Sequence, residues 1–287
     1  MIVVTGAAGF IGSNLIKKLN AENFNNIVAV DKFDNPLKNQ NIQDCTLQAT
    51  IDREVFFQWA YKNAEAIEFV FHLGARTDTL ETDESIFKEL NINYSQSIWK
   101  LCAEEQIPLV YASSAATYGD GSLGFSVNLN TLDQLKPLNA YGWSKHEFDL
   151  WAISQDRQPF YWAGLKFFNV YGQNEGHKGR MASMVYQMEQ QILNTGRVQL
   201  FKSYHFKYGH GEQKRDFIQV SEVCELMYEK MLRREDSGIF NVGTKKATSF
   251  NDMAYELFEK HNLKPQIEYI DMPDSIKDKY QYFTEAE

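Results

Sequence analysis

Short apolar runs alternate with segments whose apolar positions recur every three or four residues, and this rhythm covers the first 171 residues. The runs IVVT, NIVAVD, EFVFHLGA, LVYASS and YWAGLKFFNVYG are apolar at almost every position. That is the pattern of strands covered on both faces, as in a parallel sheet. Residues 14–20, 54–63 and 86–104 carry the helical period between them. Successive strand–helix–strand units wind right-handed and stack helices on both sides of the sheet. Beyond residue 171 the rhythm loosens into a loop at 176–180, a helix from 181 to about 194 and a polar stretch around 204–214. RDFIQV and GIFNVGT then read as strands flanking a helix over 221–234. There is no internal repeat, low-complexity tract or long linker.

The first strand-like run ends in TGAAGFIG, which places Gly6, Gly9 and Gly12 between a strand and a helix. Bare backbone N–H groups at such a helix start, together with its dipole, hold a pyrophosphate. NNIVAVD follows as the next strand and ends in Asp31, whose carboxylate can accept hydrogen bonds from an adenosine ribose. The pattern therefore predicts an α/β fold. It is a Rossmann-type doubly wound parallel sheet with a smaller α/β substrate-binding region. The expected division is 1–169 with 218–245 for the dinucleotide, and 170–217 with 246–287 for the substrate. Ligands in such sheets bind at the carboxyl ends of strands. Residues 72–75, Ser113, Ser114 and residues 169–171 all fall on that rim.

Composition narrows the reading only a little. The formal charge of the 287 residues is −9, and no Lys/Arg run reaches the density of a nucleic-acid or lipid-binding tract. Cys45, Cys102 and Cys224 are widely spaced and form no metal-binding pattern, so they are expected to be buried, reduced thiols. No apolar run approaches 20 residues, and the expectation is a cytoplasmic protein that binds neither membrane nor nucleic acid. No metal is expected. His205 and His210, in the polar stretch, lack a third ligand at suitable spacing and read as solvated loop residues.

The strongest chemical signal is AYGWSK, with Tyr141 and Lys145 four residues apart and so on one helix face. A tyrosine titrates near 10 and is a poor base at neutral pH. A neighbouring ammonium is expected to favour the phenolate. Upstream, YASSAATYG puts the Ser114 hydroxyl at a strand end, where it can hydrogen-bond a substrate oxygen as charge develops. Tyr118 and Tyr161 read as core aromatics.

With these segments assembled, the chain resembles the extended short-chain dehydrogenase/reductase superfamily and its nucleotide-sugar epimerases. The resemblance rests on TGAAGFIG, Asp31, FHLGA, NINYSQS, YASSAATYG, PLNAYGWSK, FFNVYGQNEGHKGRMAS, KRDFIQV and IFNVGT, and it spans almost the whole chain. EGHKGRMAS and the late KDKYQYFTEAE are the least generic segments, and they resemble those of epimerases acting on ADP-heptose. The resemblance implies inversion at C6 of the ADP-linked heptose by transient oxidation, serving lipopolysaccharide core synthesis. It also implies one bound nicotinamide cofactor per subunit and a homo-oligomer. The alternatives are a UDP-sugar 4-epimerase, a 4,6-dehydratase and a non-enzymatic nucleotide sensor. The dehydratase's Asp-Glu pair is replaced here by Ala115 and Ala116.

The same resemblance implies roles for further residues. Tyr141 is one acid/base and Lys178, in GHKG, the second. Asn169, His177, Ser183, Arg215 and Tyr280 are implied contacts to the sugar or its phosphates. Phe10, Ile11, Leu73, Ala75 and Asn93 match cofactor-lining positions. Asp31 alone favours NAD by repelling a 2′-phosphate. Lys32, Lys38 and Arg53 can offset that charge, and the resemblance implies NADP, with NAD as the alternative. Two departures stand out. FKSYHFKYGHGEQKRDF is several residues longer than the family pattern, which leaves the nucleotide-phosphate contacts open. The pattern also continues into a further helix beyond the position of Glu287.

Overall fold

Seven strands form one parallel sheet: β1 (Ile2–Thr5), β2 (Ile27–Asp31), β3 (Ala49–Asp52), β4 (Phe69–His72), β5 (Leu109–Ser114), β6 (Trp162–Phe167) and β10 (Gly238–Val242). Their order across the sheet is β10-β6-β5-β4-β1-β2-β3. The computed structural model describes residues 1–277 and 280–287, so Asp278 and Lys279 of the KDKYQYFTEAE segment lie outside the described residues. The chain runs outward from β1 to β3 and then restarts beside β1 at β4. A crevice must therefore open between the carboxyl ends of β1 and β4, where the connections diverge.

Strand alternation feeds two cores. Val3, Val28, Val30 and Val70 face a layer built with α3 (Phe56–Lys62), α5 (Tyr94–Glu104) and α6 (Ala140–Ile153). Ile2, Val4, Ala29, Phe69 and Phe71 face the other layer, where α1 (Phe10–Ala21) packs against α8 (Val220–Arg233). Cys102 and Cys224 are buried free thiols, as expected, but Cys45 is only partly covered. No helix among the described residues is long and apolar enough to cross a membrane.

The expected boundaries shift where backbone chemistry competes with hydrophobicity. Edge strand β3 escapes the pattern because its residues are partly or fully exposed and form no apolar run. Residues 86–104 are not one α-helix. They divide into α4 (Glu84–Phe87), a π-helical turn (Lys88–Asn93) and α5. The widened turn accompanies an inward-facing Asn91 and an exposed Asn93. The run YWAGLKFFNVYG divides at Phe168. Its first half is β6, and β7 (Asn169–Tyr171) joins β9 (Lys214–Gln219) and β11 (Ala247–Ser249) in a separate three-stranded sheet.

Over that small sheet lies a third core of Val185, Met188, Leu200, Phe217, Phe250 and Phe258. It is formed by α7 (Met184–Thr195), β8 (Val198–Phe201) and α9 (Phe250–Lys260), with β12 (Ile267–Ile270) pairing β8. α7 begins three residues later than expected, because Ser183 caps it by accepting from the Tyr186 N–H (3.1 Å).

The turn after β1 leaves no room for side chains at two of its glycines. Gly6 has a φ of 65°, and a Cβ there would lie 2.7 Å from the Cα of Gly74. A Cβ on Gly12 would lie 2.3 Å from the Gly6 carbonyl oxygen. Replacing Gly12 by alanine must push α1 off the turn and is expected to cost about 1–3 kcal/mol, measured as a lowered urea midpoint with an unchanged m-value.

Candidate active site

Two cavities open along the crevice. The first, 620 Å³, is lined by Gly6, Gly9, Phe10, Ile11, Gly12, Asp31, Lys32, Lys38, Arg53, Leu73, Ala75, His177 and Lys178 among others. The second, 480 Å³, is lined by Ser114, Tyr141, Lys145, Asn169, Lys178, Ser183, Arg215 and Tyr280 among others. Phe10, Ile11, Leu73, Ala75 and Lys178 border both, so the cavities meet end to end. Asn93 borders neither. The buried Asn91 turns inward instead, accepting from the Arg76 N–H (2.7 Å) and donating to the Arg76 carbonyl (2.9 Å) and Ser144 (2.9 Å). His177 stands on the glycine side of the junction, with Nδ1 3.1 Å from Asn41 Nδ2.

The glycine cavity has the features a dinucleotide requires. α1 starts at Gly9 with no side-chain cap among the described residues, which leaves its first N–H groups facing the cavity. A side chain at Gly6 or Gly12 would clash with backbone, so the turn stays bare. Asp31 is buried and holds the turn from below, its Oδ2 accepting from the Ala8 N–H (3.1 Å). Its Oδ1 accepts from the Lys32 N–H (2.9 Å) and the Lys38 ammonium (2.6 Å). The Asp31 carboxylate is therefore already paired with a cation.

In the second cavity, β5 ends at Ser114, whose Oγ accepts from the Ala116 N–H (3.1 Å) and which lines the wall together with Tyr141. Asn139 caps α6 by accepting from the Gly142 N–H (2.8 Å), which puts Tyr141 in the first turn and Lys145 one turn deeper. Lys145 is buried and donates to the Ala112 carbonyl (2.9 Å). The electrostatics differ from the sequence expectation. Burial pushes the Tyr141 phenol above its usual value, with the Asp149 charge acting in the same direction and the Ser114 hydroxyl against it. Burial likewise pulls the Lys145 amine down to about 8, against the Asp149 charge. Leaving water penalises the charged form of both groups, and in the protein alone this outweighs any help from the ammonium to the phenolate.

On the opposite wall, Lys178 reaches over the Phe10 ring, 5.3 Å from its centroid. Burial lowers the pKa of its amine while Glu175 opposes the shift. Ser183 lines the cavity, but its hydroxyl also donates to Glu175 (2.8 Å). Arg215 lies between the rings of Tyr280 (5.4 Å) and Phe250 (5.7 Å) and donates to the carbonyls of Lys214 (2.8 Å) and Gln281. Asn169 donates to Thr284 Oγ1 (3.1 Å) and to the Asp216 carbonyl (3.3 Å). In the longer segment, His205 stacks on Phe206 and His210 Nδ1 accepts from the Ser203 N–H (3.0 Å). Among the described residues no group of three His, Cys, Asp or Glu is placed to hold a metal.

Residues 2–243 match the model of the NAD dependent epimerase/dehydratase family. The chain belongs to that family. All of this epimerase-family chain aligns with 89% of an ADP-L-glycero-D-manno-heptose-6-epimerase from Fusobacterium nucleatum at 45% identity. It aligns with the same share of the enzyme of that name from Nitratidesulfovibrio vulgaris at 43% identity. A crystal structure of the Helicobacter pylori ADP-L-glycero-D-manno-heptose-6-epimerase superposes with a TM-score of 0.76 at 28% identity, over 94% of this chain and 84% of that one.

Glu175 and Thr5 at the site of this epimerase-family protein escape sequence reasoning, while His72, placed on the rim by its strand end, turns out to be a buried link. Glu175 is buried and clamps its loop by accepting from the N–H groups of Gly172 (2.9 Å) and Ser183 (2.6 Å). Its neighbours in QNEGHKG are polar, so no hydrophobic signal marks it as internal. Thr5 and His72 form a buried chain beneath the turn, with His72 Nδ1 2.6 Å from Thr5 Oγ1 and Nε2 2.8 Å from Ser95 Oγ. Burial depresses His72 to about 3, so it is neutral in the folded protein at any moderate pH.

An unfolded histidine titrates near 6.5. The unfolded chain therefore binds more protons than the folded one between that value and about 3. Stability contributed by neutral His72 is full above about pH 6.5 and falls steadily as the pH drops, by up to about 1.4 kcal/mol per unit. In His72→Gln, chemical denaturation between pH 4 and 7 is expected to show a correspondingly flatter pH dependence.

Proposed function

We propose that the protein inverts C6 of ADP-D-glycero-D-manno-heptose to give the L-glycero epimer. The observation that carries this reading is the end-to-end meeting of the two cavities. The bare glycine turn opens on one side of the junction, Tyr141, Lys145 and Ser114 stand on the other, and Lys178 borders both. The names and full-chain similarity of the curated relatives support the choice of sugar. In the proposed division, 1–169 with 218–245 holds the dinucleotide and 170–217 with 246–287 holds the nucleotide sugar.

A carbinol carbon with no adjacent carbonyl is not acidic, so proton removal alone cannot invert it. A nicotinamide cofactor, which the residues lining the glycine cavity would hold, would supply a reversible hydride acceptor and positive charge that favours the phenolate. Tyr141 Oη takes the hydroxyl proton as the carbonyl forms, and the Ser114 hydroxyl donates to the same substrate oxygen. The Lys145 ammonium stabilises the phenolate from one turn deeper. Lys178, on the facing wall, serves the hydroxyl in its opposite orientation. Arg215, held between two aromatic rings, presents its guanidinium to the diphosphate, with Asn169, Ser183 and Tyr280 lining the sugar.

Full turnover of the ADP-heptose and none of UDP-glucose is the expected result with purified protein; turnover of UDP-glucose alone would overturn the assignment. Tyr141→Phe should lose about 10²–10⁴ in kcat while retaining bound cofactor, read by mass spectrometry of released small molecules. Retained full activity in that variant would exclude Tyr141 as the acid/base.

NADP is the proposed cofactor, supported by the 2.6 Å Lys38–Asp31 contact that neutralises the carboxylate where a 2′-phosphate would approach. Isothermal titration should show tighter binding of NADP than of NAD, and Lys38→Met should reverse the preference. An NAD preference in the unmodified protein would exclude the NADP reading.

A further inference from the structure

Helix α6 repeats three polar side chains at four-residue intervals, Tyr141, Lys145 and Asp149, and only the first two border a cavity. Asp149 is fully buried behind them. Its Oδ2 accepts from Ser113 Oγ (2.7 Å) and from the Lys166 ammonium (2.6 Å), and its Oδ1 from the Tyr111 hydroxyl (3.1 Å). Lys166 is fully buried too; it donates to Thr117 Oγ1 (2.7 Å) and lies 5.4 Å from the Tyr118 ring centroid. Ser113 and Lys166 are register partners on β5 and β6, immediately beside Ser114.

An ion pair sealed from solvent is a costly structural fastener, because burial removes the hydration of both ions and well-packed apolar residues often do as well. This one is placed where its negative member shares a helix face with Lys145. The donors at Asp149 bind α6 to the strand that carries Ser114, so the same carboxylate fixes the geometry of Ser114, Tyr141 and Lys145. We propose that Asp149 is the positioning residue of this site. In this inference it locks α6 against β5 through Ser113 and Tyr111 and so sets Lys145 beside Tyr141, with Lys166 as its counter-ion. The inference rests on the proposed function only in giving Tyr141 and Lys145 their roles.

The surroundings of Lys145 leave Asp149 as the negative charge acting on it. From α6 come Tyr141, Asp149 and the buried His146. From β5 come Tyr111, the Ala112 carbonyl, Ser113 and Ser114. His72 approaches from β4 and is neutral, and Lys166 from β6 is paired with Asp149. The direction of the effect on each titrating group supports the assignment: the Asp149 charge favours the Lys145 ammonium and disfavours the Tyr141 phenolate.

Asp149→Asn alone leaves Lys166 buried without a counter-ion and is expected to destabilise the fold. The informative variant is therefore Asp149→Asn/Lys166→Met, which removes both charges together. In the cofactor-loaded enzyme, the alkaline limb of the kcat–pH profile reports loss of the Lys145 proton. It should move to lower pH by about one unit or more in the double variant, with KM little changed. The Tyr141 titration should also move to lower pH. It is read as the tyrosinate absorbance difference between this background and the same background carrying Tyr141→Phe. Unmoved titrations, with the change confined to the melting temperature, would reduce Asp149 to a structural fastener and overturn the inference. The absorbance titration needs no turnover, so it tests Asp149 even if the sugar assignment fails.

Discussion

Backbone meets backbone where β1 ends, and the placement of the whole site follows from that contact. The Gly6 carbonyl lies against Gly12 at the start of α1, and Gly6 itself lies against Gly74 after β4. Both ends of the crevice are thereby brought within van der Waals range with no side chain between them. Asp31 then fixes the height of the turn through the Ala8 N–H, and Thr5 with His72 fixes it from beneath. Because the turn cannot move, Phe10 and Ile11 project at set positions into both cavities. A reacting carbon held beside a cofactor needs such rigidity, since small displacements are expensive in rate.

The second constraint is burial of Tyr141 and Lys145. Spacing alone predicts that Lys145 helps Tyr141 ionise, and the helix does place them one turn apart. What spacing does not convey is how much water each group loses. Lys145 is about 4% exposed, and its amine is depressed to about 8. Desolvation shifts both groups toward their neutral forms, yet an amine at about 8 still holds its proton at neutral pH.

Much of this architecture is legible in the chain because parallel strands must be apolar on both faces. IVVT, NIVAVD and LVYASS appear as strands within a residue or two of their observed limits. Tyr141, Lys145 and Ser114 are readable for another reason: a four-residue helix spacing and a strand end are local geometries. Less legible are features decided by distant partners. β3 is an edge strand with little apolar character, and its pairing with β2 is invisible locally. The π-helical turn displaces Asn93 outward and brings Asn91 in, a rotation that no periodicity of 3.6 anticipates. Asp149 and Lys166 carry the charges most often found on surfaces, yet their mutual contact lets both be internal. In retrospect the signal for Asp149 is its place in the Tyr141–Lys145 series, four residues further on.

Glu175 shows how the smaller region is made to serve the larger one. The loop from Gly172 to Ser183 contains only a short 3-10 helix (Gly176–Met181), and its polar sequence supplies no apolar anchor of its own. One buried carboxylate collects the Gly172 N–H, the Ser183 N–H and the Ser183 hydroxyl, and charge-assisted bonds of this kind are among the stronger ones available. Closing the loop in this way sets Lys178 above Phe10, and so above the same helix start that frames the glycine turn. Ser183 caps α7 in the same arrangement, coupling the loop to the third core through Val185 and Met188. The two stretches that carry Tyr141 and Lys178 are therefore anchored in different hydrophobic cores, Tyr141 with α6 and Lys178 with α7. Their separation is set by how the small sheet rests on the large one rather than by any local sequence feature.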